Sequence, residues 1–242
     1  MSLIKAAMAD SILTTMWVFS LPFLGIFTSI IASNIGVEPK SIPALFIAIN
    51  IATPFVLIFS LIGAALGGAS FNPTTTVSLY AAGLKPDVSL ISMAIRFPAQ
   101  AAGGVFGAKA ILQFMPIKYK NFLKGPSLKV DLHTGATAEG VLSFVFCLFL
   151  LIVLVKGPKN FLVKVWLLAV ATVGLVVTGG KYTGPSLNPA NAYGWAYMNN
   201  WHNSWELFYV YWICPLIGAT LAAWVFRLLF SFSPPVVKPK QA

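Results

Sequence analysis

Apolar residues in this chain neither alternate nor recur as narrow helical stripes. They run in long blocks separated by small clusters of Gly, Pro, Asn and Lys. A helix crossing the ~30 Å hydrocarbon core of a bilayer needs ~20 largely apolar residues. Blocks of that length predict spanning helices over 9–33, 42–66, 89–115, 136–156, 162–180 and 205–230. Two shorter segments, one before the third block and one before the last, carry a different signature. Phe71-Asn72-Pro73-Thr74 opens the first and Leu187-Asn188-Pro189-Ala190 the second. Asn favours the N-cap of a helix, and Pro favours the first helical position, where its missing N–H is not needed. Each segment therefore predicts a half-length helix entered through a Gly-containing turn.

The order span, span, half-helix, span occurs twice. Asp10 stands early in the first span and Glu139 early in the fourth, each ahead of its own Asn-Pro pair. An odd number of full spans per repeat forces the halves into opposite orientations, an inverted repeat with its axis in the membrane plane. The reading is one channel domain over 1–242: repeat 1 over about 6–115, a basic linker over about 116–135, repeat 2 over about 136–230, and a basic tail over 231–242. Its fold class is an all-α membrane protein with six transmembrane helices and two re-entrant half-helices.

Composition agrees. The chain is 58% hydrophobic and 9% charged, against about 25% charged in soluble domains. A net charge of +10 would suggest nucleic acid in a soluble protein. Here no aromatic-interleaved basic stripe accompanies it, and the lysines fall mostly in loops and tails, as topology signals and contacts to anionic head groups. With both termini cytoplasmic, that side holds Lys5, Lys85, Arg96, Lys156, Lys159, Lys164, Arg227, Lys238 and Lys240. The other side holds Lys40, Lys118, Lys120, Lys124, Lys129 and Lys181, a smaller set. The orientation follows from this excess, although the basic linker runs against it. Cys147 and Cys214 fall inside spans and read as buried thiols.

Two half-helices entering from opposite faces meet near the midplane, because ~10 helical residues cover ~15 Å, half of the core. Their N-termini then face one another. Loop carbonyls before each cap supply acceptors, Asn72 and Asn188 supply donors, and the paired positive dipole ends oppose cations while leaving neutral solutes alone. The expected activity is passive conduction of a neutral polar molecule. Asp10 and Glu139 brace the re-entrant loops by accepting from their N–H groups. His133 and His202 read as solvated loop residues. No metal spacing, phosphate loop or nucleophile–base pair is present, so neither cofactor nor enzymatic activity is expected. The alternatives are a coupled secondary transporter, which also uses broken helices, and a non-conducting structural protein of the membrane, which the resemblance given next would put in the endoplasmic reticulum.

These residues carry a resemblance to the aquaporin (major intrinsic protein) family, extending from Asp10 to Phe226. It is strongest in Gly68-Ala69-Ser70-Phe71-Asn72-Pro73, Pro98-Ala99-Gln100, Tyr182 to Ala190, and Pro215-Leu216-Ile217-Gly218. Thr74 in the first box, Pro185 and the Lys-rich tail resemble the plant small basic intrinsic proteins. The resemblance implies a homotetramer of independent pores, water and small neutral solutes as the permeants, and residence in the endoplasmic reticulum membrane. It also implies a second constriction, which falls on Pro185, Asn191, Val176 and a second-span residue, Ala52 or the nearby Val56. Asn191 and Val176 replace the Arg and His of the water-specific pattern, which predicts a wider and less cation-repelling ring. Lys238 and Lys240 have the spacing of a cytosolic dilysine retrieval signal.

Overall fold

Short polar side chains start nearly every helix of the chain. In the computed structural model, which describes residues 2–86 and 88–230, Ser41 caps the helix Ile42–Ala65 through Ala44 N (3.3 Å). Ser89 and Ser92 form a reciprocal capping box at Leu90–Phe114. Asn160 accepts from Leu162 N and Val163 N at the start of Phe161–Gly179. Asp131 caps Leu132–Val155, and hydrogen bonds from Thr134, side chain and then backbone, hold its carboxyl below the usual range. Each cap satisfies N–H groups that the first turn leaves without a helical partner.

The helices are α1 (Leu3–Asn34), α2 (Ile42–Ala65), α3 (Pro73–Ala81), α4 (Leu90–Phe114), α5 (Leu132–Val155), α6 (Phe161–Gly179), α7 (Pro189–Met198) and α8 (Trp205–Leu229). A π turn over Tyr209–Ile213 interrupts α8 without ending it. Five of them (α1, α2, α5, α6 and α8) are long and apolar enough to cross a membrane. The sixth crossing is α4, whose 25 residues include Arg96, Gln100 and Lys109. The short α3 and α7 are the half-helices. The fold is an all-α inverted repeat of six spans and two re-entrant half-helices.

Two expectations need correction. His133 lies in the first turn of α5, with Nδ1 3.3 Å from the Tyr209 hydroxyl, and not in a loop. Arg96, counted above as a cytoplasmic charge, is buried within α4. Lys238 and Lys240 lie outside the described residues.

Backbone contact at glycines sets the register. A Cβ on Gly103 of α4 would collide with the Ser11 carbonyl of α1, and one on Gly218 of α8 with the Gly140 carbonyl of α5. Ser11 and Gly140 directly follow Asp10 and Glu139, so α1–α4 and α5–α8 are the same packing unit used twice. The half-helices cross over. A Cβ on Gly104 of α4 would meet the Ala190 carbonyl of α7, and one on Gly194 of α7 the Gly104 carbonyl, so α7 packs on repeat 1, while α3 packs on α8 of repeat 2. This exchange brings the starts of α3 and α7 together in the interior.

Candidate functional site

Asn72 and Asn188 cap α3 and α7, with Pro73 and Pro189 as the first helical residues. Asn72 Oδ1 accepts from Thr74 N at 3.0 Å, and Asn188 Oδ1 from Ala190 N at 3.0 Å. With its oxygen held by its own helix, each carboxamide turns its NH2 across to the other loop. Asn72 Nδ2 donates to the Leu187 carbonyl at 2.9 Å, and Asn188 Nδ2 donates to the Phe71 carbonyl at 2.9 Å. Each asparagine thus holds the residue just before the other. An NH2 group carries two protons, so each amide keeps one N–H beyond this lock. The side chains are almost enclosed, Asn72 at 8% and Asn188 at 5% exposure.

The two acceptor carbonyls are fixed by different means. Phe71 stacks on Trp17 of α1 (centroids 4.2 Å apart) and meets Phe59 of α2 edge-on at 5.9 Å. Leu187 instead adopts φ +51°, a left-handed conformation costing a bulky residue roughly 1–2 kcal/mol. Thr74, fully buried, adds a hydroxyl shared between Asn72 Oδ1 and the Leu187 carbonyl (3.0 Å). Ala190, its counterpart in the second box, has no such group, so the first cap is tied more tightly than the second.

The acids sit behind the loops, but their surroundings differ. Asp10 accepts from Ser70 N (2.8 Å), Arg96 Nε and Nη2 (2.7 Å each) and Gln100 Nε2 (2.8 Å). Glu139 accepts from Ser186 N (3.0 Å) and Thr183 Oγ1 (2.9 Å) on Oε1, while Oε2 has no partner among the described residues. Arg96 lies seven positions before Gly103. The position seven before Gly218 holds Tyr211, which donates to the Thr183 carbonyl at 3.1 Å. One repeat braces its cap loop with a buried ion pair and the other with hydrogen bonds from uncharged donors.

Of the expected ring residues, Pro185 and Asn191 flank the second cap. Asn191 Nδ2 donates to Ser186 Oγ (3.1 Å), Ser186 Oγ donates to the Asn188 carbonyl (2.6 Å), and Asn191 Oδ1 is buried without a partner among the described residues. Gly179 of α6 lies against Pro185 and Leu142. Ala52 is buried on α2 and Val176 is 42% exposed on α6, two helices that pack together. A separate pocket of about 520 Å³ opens between α5 and the end of α6, lined by His133, Thr137, Thr178 and Tyr182 among others, and includes none of the cap residues.

Sequence reasoning missed Arg96, Gln100, Thr183 and Tyr211. The signal for Arg96 was available: a guanidinium deep in one span and a carboxylate deep in another need each other. Loop carbonyls before each cap were expected as acceptors, but no side-chain signal singled out those of Phe71 and Leu187, which act through backbone oxygens.

With two positive helix ends, two asparagine amides and the Phe71 and Leu187 carbonyls converging in a membrane bundle, the arrangement can hand a neutral hydrogen-bonding molecule from acceptor to donor. The same fold and sequence pattern occur in known proteins. The sequence matches the family model described as Major intrinsic protein over residues 1–226. It is 54% identical to Aquaporin SIP1-1 of Oryza sativa subsp. japonica over 239 residues, covering 98% of this chain and 96% of the relative. Aquaporin SIP1-1 of Arabidopsis thaliana is 46% identical over 230 residues, covering 95% and 94%. Among solved structures, the aquaglyceroporin from Plasmodium falciparum shares the fold with TM-score 0.70 at 19% identity, over 95% of this chain and 97% of that one. The chain belongs to the major intrinsic protein family, the aquaporins, alongside its small basic intrinsic proteins.

Proposed function

We propose that the protein conducts water and small neutral solutes passively, in single file past Asn72 and Asn188. Family membership makes it a non-enzymatic membrane channel, and the observation that carries the finer reading is the reciprocal lock. Asn72 on the Leu187 carbonyl and Asn188 on the Phe71 carbonyl, both at 2.9 Å, hold the two caps face to face with one amide N–H left on each. Pro73 and Pro189 fix where the half-helices begin, Thr74 and Ala190 complete the boxes, and Asp10 and Glu139 hold the loops rigid. Ala52, Val176, Pro185 and Asn191 form the second constriction, which bears no formal charge and admits more than water. The Asp10 carboxylate is saturated with donors, an arrangement suited to a fixed brace and not to a site that gains and loses an ion.

The working unit is a homotetramer of one-domain channels in the endoplasmic reticulum membrane, with both termini cytoplasmic and Lys238 and Lys240 as the retrieval signal. The test is solute flux into proteoliposomes for glycerol, urea and hydrogen peroxide, with and without a proton or sodium gradient. Non-saturating flux that ignores the gradient is expected. Saturating flux that follows a gradient would make the protein a transporter.

A further inference from the structure

Resting on that reading, we propose that Lys85 and Lys129, whose ammonium groups lie on carbonyls of the two re-entrant loops, are the charges that keep cations out of this pore. Lys129 Nζ donates to the Gly180 carbonyl at 2.6 Å, where the second loop leaves α6. It lies 3.8 Å from where a Cβ on Gly184 would stand, and Gly184 directly precedes Pro185. Its backbone is pinned too, since Ser127 N and Lys129 N donate to the Thr183 and Tyr182 carbonyls at 2.9 and 2.8 Å. The linker thus runs alongside the pore loop and delivers one lysine to its entrance. On the first loop, Lys85 Nζ donates to the Gly68 carbonyl at 3.0 Å, four residues before Asn72. The two sites come from unrelated segments, one after α3 and the other before α5, yet each places an ammonium on the outer part of a cap loop.

The chemistry follows from what a cation would meet there. A loop carbonyl is an acceptor that replaces water around an entering cation. At Gly68 and Gly180 a lysine already occupies it and adds a like charge. Asp131, a carboxylate two residues from Lys129 that accepts from Thr134 N at 3.0 Å, is matched in number by Lys181, next to Gly180 in the chain. A neutral solute is indifferent to these charges. The basic linker that opposed the topology rule therefore has a use on its own side of the membrane.

The experiment uses the full chain in neutral-lipid vesicles and reads potassium leak relative to osmotic water flux. Lys85→Met with Lys129→Met should raise that ratio about tenfold, the scale of one unit charge acting at a partly hydrated mouth. Lys85→Arg with Lys129→Arg should restore the wild-type ratio. In the wild type the ratio should climb as ionic strength passes from about 0.01 M to about 1 M, because screening shortens from ~30 to ~3 Å. The Met variant should lack this response, which a lost structural staple would not remove. A Met variant that passes water and leaks no more potassium than wild type would overturn the proposal. Wild type that passes no water would overturn the conduction reading itself, and the proposal with it.

Discussion

Arg96→Met tests the brace behind the first cap. Arg96 and Asp10 form a two-point ion pair at 2.7 Å with side chains 4% and 0% exposed. Methionine keeps much of the length and apolar stem but removes the charge. Among the described residues Asp10 then keeps Ser70 N and Gln100 Nε2 as donors. Breaking a buried pair by removing one partner costs about 3–5 kcal/mol, because an uncompensated charge stays behind. Taking about 3 kcal/mol, and about 2–4 °C per kcal/mol for a chain of this size, the thermal midpoint in detergent should fall by about 6–12 °C. Glu139→Gln is the matched control. It leaves no counterion stranded, since among the described residues Glu139 accepts from Thr183 and Ser186 and pairs with no cation, and exchanging one acceptor among uncharged donors costs about 1 kcal/mol. Scanning both purified variants by tryptophan fluorescence gives the comparison. Equal small shifts for the two would refute the asymmetry between the repeats, and an Arg96→Met midpoint within a degree of wild type would refute the brace.

Asn188→Asp places a carboxylate where the Asn188 amide now donates to Phe71 O, so osmotic water flux should drop at least about tenfold; unchanged flux would remove Asn188 from the pore. Asn191→Arg adds a cation and fixed donors beside Ser186, and glycerol uptake should fall more than water flux. Undiminished glycerol uptake would put the constriction elsewhere. Gly104→Ala forces a methyl into the Ala190 carbonyl, costing about 1–3 kcal/mol, and monodisperse yield on size exclusion should fall. A yield equal to wild type would mean that α4 and α7 have slack.

The number and order of the spans were legible because a bilayer admits few alternatives to a run of apolar helix, and the Asn-Pro pairs marked the starts of α3 and α7 to the residue. Asp10 and Glu139 were legible as intramembrane acids standing in matched places. Their partners were not. Arg96 reads by itself as a topology charge, and only the closeness of α1 and α4 at Gly103 and Gly107 brings it to Asp10. Tyr211 and Thr183 look like ordinary span and loop residues until α8 is set beside α5. The lock between the caps was half readable: two asparagines facing one another follow from symmetry, whereas their acceptors are main-chain oxygens of Phe71 and Leu187, which no side-chain pattern encodes. The helical start at Leu132 was missed because Asp131 and Thr134 form a cap within a stretch that reads as polar linker.

The central claim is that a wet passage runs past the two locked asparagines. Stopped-flow shrinkage of proteoliposomes holding the wild-type protein, followed over a range of temperature, measures that passage most directly. Water permeability well above that of empty vesicles, with a weaker temperature dependence than lipid alone, is the predicted result. Permeability equal to empty vesicles at every temperature, from protein shown to be folded and inserted, would contradict it.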